Sequence, residues 1–128
     1  MSMKSMLHLQ KMFNEEFLNE AMPEIDLKSE YHKEQMTQYF LMLMMRELME
    51  VYDETNFKRH VFKRQELDHD KIKEELIDCF KFLLNMFIVW DMNADSIYAE
   101  FLKKHAKVNK KWRASLKERN EARKEEVE

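Results

Sequence analysis

The amino-acid sequence predicts an all-α protein built around one hydrophobic core. The 128 residues include no glycine, and Pro23 is the single proline. Glycine supplies the positive φ angles of tight hairpins and phosphate-cradling loops, so its absence disfavours hairpin-rich β folds, Walker loops and dinucleotide-binding fingerprints. Leu, Met, Glu and Lys are abundant and favour helix. A chain of this length suits one domain.

Two helices are predicted in the N-terminal half from the spacing of apolar residues. The first carries an apolar stripe from about Leu7 to Leu18 and ends near Pro23, because proline disfavours helix at the residue before it. The second is expected to run from about Ser29 to about Asn56. Its middle, YFLMLMM, is apolar on every side, which predicts burial all round.

Two more helices are predicted after a polar segment that is basic first and acidic after, KRHVFKRQELDHD. Asp68 or Asp70 is expected to cap the third helix, which continues to about Trp90. The stretch DMNAD predicts a tight connection, with Asn93 as the cap of the fourth helix. Beyond Ala114 the sequence is charged and is expected to fray into solvent.

These patterns together predict a four-helix bundle core that associates with itself. Residues 1–114 are expected to form the domain, and residues 115–128 a charged C-terminal tail. The second and third helices are too apolar for a small monomer to cover easily, so a homodimer or homotetramer is expected.

Charge and hydropathy exclude several other classes of protein. The formal net charge is -3, whereas a nucleic-acid-binding protein usually carries a clear basic excess. The longest apolar run, Tyr39 to Met45, is far too short to span a bilayer, and the N-terminus lacks the apolar core of a signal peptide. Cys79 is the only cysteine, so no internal disulfide can form, and a cytoplasmic location is expected.

Two pairs of acidic residues lie on the second and third predicted helices. Glu47 and Glu50 are three residues apart, as are Glu75 and Asp78, and residues at this spacing share a helix face. Antiparallel packing could bring the two pairs together. Such a cluster of like charges needs a cation, and oxygen-only ligands favour a hard ion such as Mg²⁺. One or two Mg²⁺ ions could polarise a phosphoryl group and activate water.

The ordinary alternative for each acidic pair is a solvated helix face, which is common for this spacing. Two observations favour a metal site. Both pairs lie within strongly apolar helices, where unpaired acids are costly to bury, and the two helices are consecutive, so they can be antiparallel neighbours. From the residues alone, both interpretations stay open.

The sequence resembles the all-α NTP pyrophosphohydrolase superfamily, most closely the dimeric dUTPases and phage-type dCTPase/dUTPases, with MazG-like enzymes as relatives. The pattern E-x-x-E, a gap, then E-x-x-D is the family's acidic signature. RELMEVYDETNFKRH is similar to the first acidic helix with its F/W-K motif, and EELIDCFKFLLNMFIVWDMNADSIYAEFLKKH to the second acidic helix and the helix after it. LHLQKMFNE is similar to the family's N-terminal L-x-x-Q-x-x-x-N helix.

The resemblance implies a role for each matching residue. The Mg²⁺ ligands would be Glu47, Glu50, Glu75 and Asp78, and one of the three glutamates would orient or deprotonate the attacking water. Residues near the base or the phosphates would be Gln10, Asn14, Lys58, Asn85, Lys104, Asn109 and Lys111. Amide side chains suit a pyrimidine edge because each offers a donor and an acceptor.

Some positions depart from the family pattern. His60 stands where the F/W-K motif usually ends in tryptophan, and Lys81 replaces the histidine of D-x-x-H-F. The family's K-x-x-x-N-x-x-R motif fits the last helix only with a one-residue shift that uses Asn109 and Arg113. The basic stretch of this helix has three interpretations: a solvated face, a rim that binds triphosphate, or a nucleic-acid patch. The rim is favoured for Lys104 and Lys111.

The function predicted on this basis is Mg²⁺-dependent hydrolysis of a pyrimidine deoxynucleoside triphosphate, dUTP first, to the monophosphate and pyrophosphate. The alternatives are a dCTPase/dUTPase, a broader MazG-like NTP pyrophosphatase, and a catalytically silent helical protein that binds a partner. Neither nucleic acid nor membrane is an expected partner.

Overall fold

A computed structural model describes residues 2–127, and in that range it contains four helices and no strand. The helices are α1 (Met3–Ala21), α2 (Glu30–Asp53), α3 (His69–Val89) and α4 (Ala94–Val127). The predicted all-α class is confirmed. The chain forms two compact units, of which the first ends at Asn93 and the second begins at Ala94.

Side-chain caps fix where α2 and α3 begin. Ser29 precedes α2, and its side chain accepts a hydrogen bond from the backbone N–H of His32 at 3.4 Å. Asp68 precedes α3, and its Oδ1 accepts from the backbone N–H of Lys71 at 3.1 Å. Such caps satisfy amide groups that have no partner within the first helical turn. Of the two predicted caps of the third helix, Asp68 rather than Asp70 is therefore correct.

Helices α2 and α3 pack antiparallel, as contacts at both of their ends show. The end of α2 meets the start of α3 where Glu54 Oε1 and Lys71 Nζ form a salt bridge of 3.0 Å. The start of α2 meets the end of α3 where Trp90 Nε1 donates to Thr37 Oγ1 at 2.8 Å. This pairing places the C-terminal part of α2, with Glu47 and Glu50, opposite the N-terminal half of α3, with Glu75 and Asp78.

The core of the first unit lies between α2 and α3, next to the end of α1. Met36, Phe40 and Val89 are buried at its centre. Partly buried side chains pack around them: Leu18, Met22, Ile25, Leu27, Phe82 and Met86. Burial of a side chain such as Phe40 stabilises the fold by about 1.5–3 kcal/mol, so this cluster holds α2 against α3.

The outer side of α2 differs from the sequence prediction. Phe40 is only 5% exposed, but Met42 and Met45 are 67% and 58% exposed. Burial of this stretch all round is therefore wrong for the single chain, because α3 covers one side of α2 only. The apolar face of α2, as it is called below, consists of Leu41, Met42, Met45, Leu48 and Met49.

The connection after α3 is short, as predicted, and contains a left-handed residue. Asp91 has a φ of 56°, a conformation that Asp tolerates better than most residues, and the chain has no glycine to place there. Asp91 Oδ2 also pairs with Lys33 Nζ on α2. The Lys33 ammonium group also lies 5.7 Å from the centre of the Trp90 ring, so Lys33 joins the start of α2 to the connection after α3 through two contacts.

Helix α4 extends further than the sequence predicts. It does not fray beyond Ala114 but continues to Val127, because its Glu, Lys, Arg and Ala residues favour helix. The expected fraying is therefore wrong, while the division into residues 1–114 and 115–128 stays a prediction. Within residues 2–127, no helix has both the length and the apolar character needed to cross a bilayer.

Candidate active site

Three carboxyl groups from two helices of the first unit converge. Glu47 comes from α2, and Glu75 and Asp78 come from α3. One oxygen of each lies within 4.8 Å of an oxygen of the others, and all three residues are partly buried. The convergence predicted from the two E-x-x-E/D pairs is therefore present for three of the four acids. Three oxygens this close form a plausible cradle for one hard cation.

Glu50, the fourth predicted acid, is exposed and does not belong to this group of three oxygens. Its carboxyl nevertheless lies next to that of Glu75, and the hydrogen bond between the two groups is the largest of the effects that raise the pKa of Glu75. Glu50 therefore lies at the edge of the acidic cluster, where it remains accessible to solvent.

Burial and mutual proximity raise the pKa values of two acids in the cluster. Hydrogen bonding to Glu50, followed by burial and by Glu47, raises the pKa of Glu75 from 4.5 to about 7. Burial, followed by the proximity of Glu50, raises the pKa of Glu47. Both effects disfavour the charged carboxylate, so each group binds a proton more tightly than an ordinary surface acid.

One oxygen of the cluster, Glu75 Oε2, is buried and accepts no hydrogen bond. Among residues 2–127 it is the only buried side-chain nitrogen or oxygen without such a partner. Leaving a buried acceptor unpaired is unfavourable, and more so for a charged group. A divalent cation between the carboxylates would satisfy this oxygen and remove the mutual repulsion. The donor set, all carboxylate oxygen, fits Mg²⁺.

Three predicted base-binding residues form a buried amide cluster between α1 and α3. Asn85 Oδ1 accepts hydrogen bonds from Gln10 Nε2 at 2.7 Å and from Asn14 Nδ2 at 2.9 Å. The three side chains are only 5–7% exposed. The sequence spacing placed Gln10 and Asn14 on one helix, and the structure brings them to Asn85, seven residues after Asp78 on α3.

Lys58, predicted to bind the substrate as the lysine of the F/W-K motif, lies in the loop between α2 and α3. Its Nζ is 5.8 Å from the centre of the Phe57 ring, and the residue lines an open cavity of about 720 Å³. The cavity is also lined by Arg59, Lys63 and Arg64, none of which the sequence pattern singled out. The run KRHVFKRQ showed the basic charge of this segment, but it did not show that the segment folds around a cavity.

The three predicted phosphate-binding residues of the last helix lie in the second unit. Lys104, Asn109 and Lys111 are all exposed on α4. Their roles toward a substrate stay predictions.

An all-α chain that brings acids from two antiparallel helices together has the architecture expected of the all-α NTP pyrophosphohydrolase superfamily. A comparison with protein families narrows this class. The family model described as dUTPase matches residues 2–127, and the chain therefore belongs to the dUTPase family. No curated protein and no solved structure matches the chain significantly. The resemblance inferred from the motifs is thus confirmed.

Membership of this family implies a general activity and a general cofactor. The activity is that of a nucleotide pyrophosphohydrolase, with dUTP hydrolysis as the reaction associated with the family. Enzymes of this kind generally use Mg²⁺, which agrees with the carboxylate cluster of Glu47, Glu75 and Asp78.

Proposed function

We propose that this protein hydrolyses dUTP to dUMP and pyrophosphate in a Mg²⁺-dependent reaction. The observation that carries the proposal is the convergence of Glu47, Glu75 and Asp78, with Glu75 Oε2 buried and unpaired. Such an arrangement is unfavourable on its own and becomes favourable with a bound cation. Family membership supports the choice of reaction, and the cluster supports its location.

The residues of the acidic cluster divide into two roles in this proposal. Glu47, Glu75 and Asp78 hold the metal, and Glu50 joins them from the edge of the cluster. Bound Mg²⁺, as one or two ions, would neutralise phosphate charge and lower the pKa of a nearby water molecule. Glu50 is exposed, so it is the glutamate best placed to orient the attacking water and to accept its proton.

Cationic and amide side chains would bind the rest of the phosphate chain. Lys58 lies in the loop directly beyond α2, and Lys104, Asn109 and Lys111 are exposed on α4. A triphosphate is strongly anionic, and lysines near it reduce the cost of bringing it beside carboxylates. Without glycine, the chain has no backbone loop of the Walker type for this purpose, so side chains must bind the phosphates.

The buried amide cluster supports recognition of a pyrimidine. Asn85 Oδ1 already accepts two hydrogen bonds, so Asn85 can offer only its Nδ2 donors to a base. Gln10 and Asn14 can offer their carbonyl oxygens. Uracil presents a carbonyl acceptor beside its N3–H donor, and this pair complements one Asn85 donor and one amide oxygen.

The proposal is tested by measuring pyrophosphate release from a panel of deoxynucleoside triphosphates with and without Mg²⁺. The highest kcat/KM is expected for dUTP, with no release in EDTA. Equal or faster hydrolysis of dCTP would instead define a dCTPase/dUTPase, and hydrolysis of all bases a broad pyrophosphatase.

Substitution tests the assignment of the site. The double variant Glu75→Ala plus Asp78→Ala should abolish hydrolysis and the heat of Mg²⁺ binding in calorimetry. The matched control is Glu118→Ala plus Glu121→Ala, which also removes two acids three residues apart but on exposed α4. Retained activity in the first double variant would contradict the assignment.

We further propose that two copies of the chain associate through the apolar face of α2. Its residues are 45–67% exposed in the single chain, and they lie on the side of the helix opposite Glu47. A shallow cleft of about 470 Å³ runs along this face, lined mainly by apolar atoms of Met42, Met45 and Met49. Exposed apolar surface of this extent is typical of an interface. Because Glu47 faces the other way, association would leave the acidic cluster accessible.

Two simpler proposals concern the location of the protein and the residues that catalysis needs. We expect a cytoplasmic location, since the single cysteine indicates no disulfide requirement. We also expect residues 1–114 to contain the catalytic function, with residues 115–128 as a charged extension of α4. Deletion of residues 115–128 should therefore leave kcat for dUTP unchanged.

A further inference from the structure

The loop between α2 and α3 is closed by the side chain of one residue. Asn56 Nδ2 donates to the carbonyl oxygen of Gln65 at 3.0 Å, and Asn56 Oδ1 accepts from the backbone N–H of Gln65 at 2.9 Å. The nitrogen and the oxygen of the Asn56 amide therefore both bond the backbone of one residue, Gln65, nine positions further along the chain. Residues 56–65, called the closed loop below, form a ring that helix and strand hydrogen bonds do not explain.

The closed loop concentrates positive charge around a cavity. The cavity of about 720 Å³ is lined by four basic side chains and a single acid, Asp53. The basic ones are Lys58, Arg59, Lys63 and Arg64. Four like charges within seven residues repel one another, and Asn56 holds the backbone in a ring that keeps them together. A compact anion in the cavity would relieve this repulsion.

The closed loop lies at the phosphate end of the site when the elements are followed along α3. Asn85, where the base is proposed to bind, follows Asp78 of the acidic cluster by seven residues, or about 10 Å of helix. On the other side of the cluster, Glu75 is six residues, or about 9 Å of helix, from His69, where α3 begins after the closed loop. At the end of α2, Asp53 lines the cavity and follows Glu50 by three residues. The order is therefore amides, acids, then cations.

We infer that the closed loop binds the β- and γ-phosphates of the substrate, which leave together as pyrophosphate, and that Asn56 is the positioning residue that keeps it closed. This inference rests on the proposed hydrolysis for the direction of the substrate. A nucleoside triphosphate carries its base at one end and its terminal phosphates at the other, which matches the order of amides, acids and cations. Arg59, Lys63 and Arg64 contact the anion; guanidinium groups can bind phosphate oxygens in pairs.

Nucleic acid is the main competing ligand for such a basic loop. The net charge of the protein is -3, and the cations line a concave cavity rather than an extended stripe. Both observations favour a small, highly charged anion over a polymer. Single-stranded oligonucleotide is therefore the competitor in the test.

The first experiment measures pyrophosphate binding to the full chain by calorimetry, in EDTA and at low salt, so that no metal or hydrolysis contributes. The variant is Arg59→Gln plus Lys63→Gln plus Arg64→Gln, which should weaken binding by about 30-fold or more, since each charge-assisted contact contributes a factor of several. The control removes the same charge from exposed positions elsewhere. It is Lys4→Gln plus Lys117→Gln plus Lys124→Gln, and it should bind as the unmodified protein does.

The second experiment tests the role of Asn56 separately. Asn56→Asp keeps an acceptor for the Gln65 N–H but replaces the donor with a carboxylate oxygen facing a carbonyl oxygen. It should weaken pyrophosphate binding by about tenfold and speed tryptic cleavage at the basic residues of the closed loop. Asn19→Asp, an exposed substitution of the same charge on α1, is the control. In the unmodified protein, pyrophosphate should slow cleavage of the closed loop.

The outcomes separate this inference from the proposed hydrolysis. Loop-dependent pyrophosphate binding in EDTA supports the inference even if dUTP proves not to be the substrate. Unchanged binding in both the triple variant and Asn56→Asp overturns it, even if Mg²⁺-dependent hydrolysis is observed. Salt-sensitive oligonucleotide binding that the triple variant abolishes, without pyrophosphate binding, overturns it in favour of a nucleic-acid site.

Discussion

The buried amide cluster makes a quantitative prediction for Asn85→Ala. Asn85 Oδ1 accepts from both Gln10 and Asn14, and all three residues are at most 7% exposed. The substitution removes one acceptor but leaves two buried donors without a partner. Each such donor costs about 1–3 kcal/mol, so the free energy of unfolding should fall by about 2–6 kcal/mol. That is a large fraction of the 5–15 kcal/mol, roughly, that stabilises a domain.

The contrast with Asn14→Ala makes the prediction sharper. This variant removes a donor, and Asn85 Oδ1 keeps its hydrogen bond from Gln10 at 2.7 Å. No buried amide N–H loses its acceptor, so the cost should be only about 1 kcal/mol. Truncation of the acceptor at the centre should therefore cost at least twice as much as truncation of a donor at the edge.

The assay is urea unfolding followed by circular dichroism, at one fixed protein concentration because self-association would shift the midpoint. Asn19→Ala on the exposed part of α1 controls for the loss of an amide as such and should change stability by less than about 0.5 kcal/mol. If Asn85→Ala were no more destabilising than Asn19→Ala, the amide cluster would not exist as described. The proposed base site would then lose its structural basis.

Three further predictions concern other parts of the fold. The pKa of Glu75 is raised to about 7 from 4.5 for an ordinary glutamate, so in EDTA it contributes stability that is fully present below about pH 4.5 and is lost as the pH rises through about 7. The thermal midpoint of the unmodified protein should therefore fall over this pH range, and that of Glu75→Gln should fall less. Met45→Lys places a charge on the apolar face of α2 and should reduce the molar mass measured by light scattering. An unchanged molar mass would show that the interface does not lie on this face. Trp90→Phe should lower the free energy of unfolding by about 0.5–1.5 kcal/mol through loss of the bond to Thr37, and an unchanged urea midpoint would contradict that contact.

The elements that sequence alone predicted well are those encoded by local signals. The start of the second helix near Ser29, the Asp68 cap and the helix break near Pro23 depend on short-range chemistry, and all three lie where helices begin or end. The shared face of Glu75 and Asp78 likewise follows from helical geometry alone. These features need no knowledge of tertiary packing, so the sequence pattern was sufficient.

Features that depend on distant contacts were only partly predictable. The apolar middle of α2 was expected to be buried because its composition does not show how many neighbours surround it. Asn56 gave no local signal, since its partner Gln65 is nine residues away and bonds through its backbone. Helix α4 continues past Ala114 through residues of high helix propensity, whereas the prediction of fraying was based only on the charged character of this stretch.

One helix connects the parts of the proposed site. Asn85, Asp78 and Glu75 all belong to α3, and their separation is fixed by the rise of about 1.5 Å per residue. Helices α1 and α2 add the partner amides and Glu47, but they do so against positions that α3 sets. A change in the length of α3 between Glu75 and Asn85 would shift amides and acids relative to each other along one ligand. In the proposed site, both the residue types at Glu75, Asp78 and Asn85 and the spacing between them would have to match the substrate.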